Sequence, residues 1–202
     1  MPDFADITGY LRKKDKRLGT IISEIGACGL AGRRADLEFL TGIIISQQLS
    51  TAAADTIIAR FRALYPDGKI TAGGILETPD SALRATGLSA RKCDYIKDLS
   101  GKISDNSLDL AKLQSADDDT IRRELLQVKG IGDWTVDIYL MFGLARLDVF
   151  PVKDLALRKA VASVYGVSPD DMPALLEVAG HWRPYRSVGS WYLFRYRNTY
   201  SL

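Results

Sequence analysis

Apolar residues recur at helical spacing through most of the chain. After Asp36, Leu37, Leu40 and Ile44 fall at i, i+3 and i+7, and Phe39 and Ile43 widen the stripe. From Ser50 a second stripe runs through Ala53, Ile57, Ile58, Phe61 and Leu64, and stops at Pro66-Asp67-Gly68. Thr78-Pro79-Asp80 predicts an N-cap followed by proline at the first helical position. Ser89 predicts the start of a helix through Tyr95, Ile96 and Leu99, and Ser115 the start of one holding Ile121, Leu125 and Leu126. Ser168 to Asp171 has capping-box spacing, and a last helix is expected from Trp182 or Arg186 to about Arg197. Strand patterning is nearly absent: Asp148-Val149-Phe150 is short and runs into Pro151. The pattern predicts about ten helices joined by short loops, an all-α fold.

Charge divides the chain. The middle, approximately residues 30–120, differs from the two ends, which predicts two helical lobes with a cleft between them, one of 30–120 and one of 1–29 plus 121–202. The chain has 202 residues, 47% hydrophobic and 26% charged, with net charge +2, an ordinary globular composition too balanced to announce a partner. Two cysteines, Cys28 and Cys93, exclude a disulfide scaffold and a four-cysteine metal or iron–sulfur site. The N-terminal stretch lacks a signal-peptide core, and no apolar run approaches membrane-spanning length. These features lead us to expect a reduced, intracellular, soluble protein with no membrane partner. From His181 onward the chain carries Arg183, Arg186, Arg195 and Arg197 and no acid, interleaved with Trp182, Tyr185, Trp191, Tyr192, Phe194, Tyr196 and Tyr200. That mixture suits either a nucleic-acid surface or an amphipathic terminal helix.

The segment from Leu125 to Ala160 carries the most chemistry. A helix is expected to end at Gln127-Val128, followed by Lys129-Gly130-Ile131-Gly132, then Asp133 as N-cap of a new apolar helix. Two glycines one residue apart let the backbone turn tightly and approach another molecule. The N–H groups at the start of the following helix then suit a phosphate without needing a particular side chain. Helix, glycine turn with apolar Ile131, and helix together make a helix-hairpin-helix motif.

About twenty residues beyond the hairpin, Asp154 stands where an N-cap belongs, after Phe150-Pro151-Val152-Lys153 and before Leu155-Ala156-Leu157-Arg158. A helix N-terminus stabilises an ionised carboxylate, and such a carboxylate facing a pocket can stabilise a cationic transition state. Capping and catalysis are compatible roles for it.

Taken together, these residues resemble the helix-hairpin-helix DNA glycosylases, whose signature is the hairpin, a Gly/Pro-rich loop and an aspartate. Within that superfamily the chain is similar to the DNA-3-methyladenine glycosylase II group. Three further stretches agree: Ile44 to Ser50 resembles the group's IISQQLS segment, Gly87 to Lys92 its GLS-x-x-K helix start, and Arg183-Pro184-Tyr185-Arg186-Ser187 its RPWRS motif. The resemblance spans roughly residues 30–200 in the family's order. Lys129 stands where the family's hairpin usually has proline, and Asp133 where it has arginine, an acid beside the phosphate that the resemblance implies; the iron–sulfur cysteines of the endonuclease III branch are absent.

The resemblance implies a monofunctional DNA glycosylase that flips an alkylated purine of the 3-methyladenine type out of double-stranded DNA and hydrolyses its N-glycosidic bond. Asp154 is implied as the catalytic carboxylate that stabilises the sugar cation and orients water. Trp134, Trp191, Phe194 and Ile138 are implied as the base pocket, with aromatic faces attracting a cationic base. Gln48 is the first choice for the wedge that fills the gap, with Leu49 beside it, and Lys129, Gly130, Ile131 and Gly132 are the phosphate grip. Bifunctional relatives carry a Schiff-base lysine where this chain has Trp134, and an indole cannot form an imine. Asp137 is a candidate helper with a solvated or capping alternative. No cofactor and no catalytic metal are expected. The resemblance suggests a monomer, in the cytoplasm with the nucleoid of a bacterium or in the nucleus of a eukaryote. A glycosylase-lyase for other damaged bases and a non-catalytic helix-hairpin-helix DNA-binding protein are the alternatives.

Overall fold

A computed structural model describes residues 3–32 and 34–200, leaving the side chains of Asp67 and Tyr200 outside the description. Among the described residues there are thirteen α-helices and no strand. The chain divides into two compact units, Met1–Gly32 with Leu140–Leu202, and Arg33–Tyr139. Sequence placed the limits near 30 and 120; the later division keeps the hairpin helices within the middle unit.

The Arg33–Tyr139 unit begins with α3 (Leu37–Ser46), which follows α1 (Phe4–Lys14) and α2 (Lys16–Ile25) of the other unit. It continues with α4 (Thr51–Arg62), a 3-10 turn at Pro66–Gly68, α5 (Ala72–Glu77), α6 (Asp80–Ala85), α7 (Ala90–Ser104), α8 (Leu110–Leu113), α9 (Asp118–Leu125) and α10 (Asp133–Ile138). Short-range caps start several of these helices: Asp36 accepts from Phe39 N–H, Ser50 from Ala53 N–H and Ser89 from Lys92 N–H. α7 packs on α3, α5 and α6, and α10 packs on α9 and α3. Leu40, Ile44, Ile75, Leu83, Ile96, Leu99, Ile121, Leu125 and Val136 are completely buried, and this apolar burial is the main stabilising force.

The other unit packs α2 and α11 (Leu155–Tyr165) against α13 (Arg186–Tyr200), with α1 on α2 and α12 (Met172–Gly180) on α11. Its core includes Leu11, Leu18, Ile22, Leu157, Val161, Leu175, Trp182, Tyr192 and Leu193. Buried Asp15 joins α1 to α2 and accepts from Leu18 N–H, Tyr165 Oη and Trp182 Nε1 at 3.0, 2.7 and 2.9 Å. With three donors the buried carboxylate is satisfied.

Four predicted helix starts fall elsewhere. Thr78 closes α5, its hydroxyl donating to Gly74, and Pro79 occupies the N-cap of α6. Asp117, not Ser115, caps the helix holding Ile121, and Leu126 lies just past its end. Asp171 caps α12 itself, while Ser168 Oγ accepts from Asp170 N–H within the preceding turn. Gly132 caps α10, and Asp133 is its first helical residue. Ser115 and Asp117, Ser168 and Asp171, and Gly132 and Asp133 are all competent caps, and only the backbone's path selects one of each pair. Of the terminal aromatics, Trp182, in the turn before α13, and Tyr192 are core residues, whereas Tyr185, Trp191, Phe194 and Tyr196 are half-buried.

Candidate functional site

The hairpin follows α9. Leu126 caps the C-terminus of that helix, Ile131 N–H donates to Val128 O at 3.1 Å, and buried Ile131 anchors the turn. Gly130 has φ +78°, and a Cβ there would lie 2.0 Å from the Tyr95 ring. Both facts require glycine. Gly132 differs: it is exposed, its φ of −118° suits any residue, and a Cβ would meet nothing within 4 Å. The expectation that both glycines serve the tight turn is corrected, because only Gly130 carries the positive φ and the close approach.

The hairpin is held from outside. Asp98 accepts from the Lys129 backbone N–H at 2.9 Å, while the Lys129 side chain is 73% exposed with its ammonium 3.9 Å from Asp98. Gln47 Nε2 donates to Gly130 O at 2.9 Å and to Thr135 Oγ1 at 3.1 Å. Arg122 bridges Asp133 at 3.1 Å and Asp137 at 2.5 Å. Burial alone lowers this guanidinium's pKa, but the hydrogen bonds and charges of Asp137 and then Asp133 hold it above its ordinary value. The acid at the hairpin is thus neutralised by Arg122. Asp137 is buried in the same cluster, a structural placement in the Arg33–Tyr139 unit rather than a solvated one.

The turn Gln47-Gln48-Leu49 ends α3. Gln48 is exposed, with φ +58°, and Leu49 is 39% exposed. Lys92, in the first turn of α7, donates from its ammonium to the carbonyls of Ile45 and Gln47 at 2.7 and 2.8 Å. Burial pushes its pKa down. Trp134 and Ile138 lie on α10, both half-buried.

Asp154 belongs to the other unit. It caps α11, its Oδ1 accepting from Leu157 N–H at 2.9 Å, and it is half-buried. The loop before it is fastened to the start of α13. Arg186 grips Asp148 through Nε–Oδ1 at 2.6 Å and Nη2–Oδ2 at 3.0 Å, and also donates to the Asp148 carbonyl. Ser187 N–H donates to Leu147 O, and Ser187 Oγ accepts from Val149 N–H, both at 2.9 Å. Asp154 N–H closes the loop by donating to Pro151 O at 2.8 Å. The Arg-Ser pair of the RPYRS stretch therefore serves as a clasp on the loop that carries the aspartate. Lys153 is exposed beside it.

In the same unit Trp191 and Phe194 are half-buried on α13. Trp191 meets Tyr192 edge-on at 4.9 Å, lies 5.9 Å from the Arg195 guanidinium, and closely faces Gly29. Phe194 packs on Phe142 at 6.1 Å. Sequence reading missed Lys92 as a donor to the turn, Arg122 as the hairpin's counter-charge, and the Arg186 clasp. The GLS-x-x-K and RPYRS stretches were visible, but their partners lie tens of residues away. Among the described residues no group of three His, Cys, Asp or Glu side chains is disposed to hold a metal ion, and no helix is long and apolar enough to cross a membrane.

The sequence profile described as HhH-GPD superfamily base excision DNA repair protein matches residues 41–183. That span holds the Gln47–Leu49 turn, Lys92, the hairpin and Asp154; Trp191 and Phe194 lie beyond it. YfjP of Bacillus subtilis is 35% identical over 161 residues, covering 75% of this chain and 55% of YfjP, so the chain spans about half of that relative. DNA-3-methyladenine glycosylase 1 of Schizosaccharomyces pombe is 30% identical over 185 residues, covering 89% of this chain and 80% of that protein. The structure of S. pombe 3-methyladenine DNA glycosylase (Mag1) in complex with abasic DNA superposes with TM-score 0.85 at 26% identity, covering 96% of this chain and 97% of that one.

Proposed function

Since the chain belongs to the HhH-GPD superfamily of base excision DNA repair proteins, we propose that it is a monofunctional DNA glycosylase. It binds double-stranded DNA, flips out an alkylated purine of the 3-methyladenine type and hydrolyses the N-glycosidic bond. The observation that carries this reading is Asp154, a half-buried carboxylate fixed at a helix N-terminus by its cap bond and by the Arg186–Asp148 clasp behind it. Relatives named for 3-methyladenine excision support the choice of base.

In this mechanism the alkylated base leaves readily because it is already cationic, and the sugar develops positive charge. Asp154 stabilises that charge and orients the attacking water, while the α11 N-terminus favours its ionised form. The backbone of Lys129 to Gly132 grips a phosphate, with Lys129 supplying an exposed cation. Gln48, with Leu49 beside it, enters the gap left by the base. Trp191 and Phe194, from the unit that carries Asp154, serve as walls for the flipped base, and the family resemblance assigns Trp134 and Ile138 to base recognition as well. Trp134 at the Schiff-base position leaves water as the nucleophile. The protein acts as a monomer wherever the DNA lies, in a nucleoid or a nucleus.

Incubation with methylated duplex DNA should release free alkylated base and leave an unbroken strand that alkali then cleaves. Borohydride present during turnover should trap no protein–DNA adduct. A trapped adduct would overturn the monofunctional reading, and DNA binding with no base release would overturn the enzyme.

A further inference from the structure

Three side chains spaced three residues apart on α7 reach both segments of the Arg33–Tyr139 unit that the proposed function assigns to DNA. Lys92 donates to the carbonyls of Ile45 and Gln47 at 2.7 and 2.8 Å. These carbonyls lie at the C-terminal end of α3, where the helix has no N–H groups of its own to offer them. The Gln47 carbonyl belongs to the peptide that enters Gln48, the residue with φ +58°. Tyr95 lays its ring against Gly130 so closely that no Cβ fits between them, and Arg91 holds the ring through bonds to Tyr95 Oη. Asp98 accepts from Lys129 N–H at 2.9 Å. Gln47 closes the circuit, its side chain donating to Gly130 O and Thr135 Oγ1 while its own carbonyl receives Lys92.

Helix stability does not account for Lys92. A cation in the first turn sits at the positive end of the helix dipole, and the ammonium is partly stripped of water. The two carbonyls offset both penalties. Gln48, for its part, occupies a backbone region that non-glycine residues hold only where the surroundings over-determine it. Lys92 supplies that determination at the adjoining carbonyl.

We propose that α7 is the spine that positions the DNA-reading elements. Lys92 sets the direction of the Gln48–Leu49 turn, Tyr95 and Asp98 set the hairpin, and Gln47 locks the two together. The wedge then enters the duplex at a fixed register from the phosphates that the hairpin grips. Lys92 is a positioning residue and touches neither base nor sugar. The inference rests on the reading of Gln48–Leu49 as wedge and the hairpin as phosphate grip.

The test compares Lys92→Met, Lys92→Arg, Gln48→Ala and the double variant Lys92→Met/Gln48→Ala under single turnover. The substrates are a duplex holding 7-methylguanine opposite cytosine and the same lesion opposite an abasic site, where unstacking is easier. Lys92→Met should slow excision from the paired duplex several-fold, no further than Gln48→Ala does, and leave excision from the unstacked lesion within about twofold of wild type, as expected when a misplaced positioning group affects flipping alone. Lys92→Arg, which can also donate to two carbonyls, should restore most of the rate. In the double variant Lys92→Met should add little to Gln48→Ala, because no wedge is left to position. Equal losses on both substrates, additive losses in the double variant, or a folded Lys92→Met with wild-type rates would each overturn the proposal. Thermal unfolding identifies the folded variants, and Lys92→Gln replaces Lys92→Met should that variant not fold. A duplex with 2-aminopurine beside the lesion reads insertion at saturating protein without any chemistry. A reduced fluorescence rise in Lys92→Met supports the spine and an unchanged rise overturns it, even for a chain that releases no base.

Discussion

The N-termini of α10 and α11 begin from similar material and present different chemistry. Each follows a loop shaped by glycine or proline, and each has an aspartate at its threshold. At α11 that aspartate is the N-cap, so its Oδ1 folds back to accept Leu157 N–H and the carboxylate stays at the end of the helix. At α10 the cap is Gly132 and the aspartate sits one residue later, where Asp133 turns to Arg122. One position relative to the helix start converts the same residue type from an occupant of the N-terminus into a member of a neighbouring ion pair. One helix mouth brings its own anion and suits a developing cation; the other is capped without a side chain and suits an outside phosphate.

The largest expected effect comes from exchanging the charge at α11 while preserving the cap. Asparagine caps as well as aspartate, so Asp154→Asn should keep the unfolding midpoint and DNA affinity. It should lose about 3 kcal/mol of transition-state stabilisation, two orders of magnitude or more in single-turnover excision. Near-normal excision by the folded variant would reduce Asp154 to a cap and erase the contrast between the two helix starts.

Next is the hairpin, where the two glycines separate shape from exposure. Gly130→Ala drives a Cβ into Tyr95 at a positive φ, and should weaken binding to undamaged duplex by about tenfold, alike for all sequences, because phosphate contacts carry no sequence information. Gly132→Ala meets open space and should bind nearly as wild type. Titration by fluorescence anisotropy at several salt concentrations checks both, and a Gly132 variant as weak as the Gly130 variant would contradict the geometry.

Removing the counter-charge at α10 should act mainly on stability. Arg122→Met removes the Arg122 cation from buried Asp137 and is expected to cost about 2 kcal/mol, measured by denaturant unfolding; Arg122 is one-third exposed, which discounts the fully buried value. DNA affinity should also fall, since Asp133 would then repel phosphate.

The smallest effect is at the wedge. Gln48→Ala should slow excision several-fold from a paired lesion and less from a mismatched one, because the cost of unstacking is already partly met there. Equal slowing on both would shift the role to Leu49.

Local features were readable because their physics is local. Asp36, Ser50, Ser89 and Asp154 each accept from an N–H three residues ahead, an interaction contained within one turn of chain. The glycine turn with buried Ile131, and the periodic apolar faces, are likewise set by backbone conformation and side-chain period. Sequence therefore determined the all-α class, the hairpin and the aspartate at its helix start. It could not choose among neighbouring caps such as Ser168 and Asp171, since each is competent and only the folded backbone brings the Asp171 carboxylate to Ala174 N–H. Nor could it reveal that Gln47 reaches Gly130 across 83 residues, that Lys92 serves carbonyls more than 40 residues earlier, or that Arg186 clasps Asp148 across 38. Those bonds depend on which helix faces meet, and a side chain's partner at long range exists only after the chain has folded.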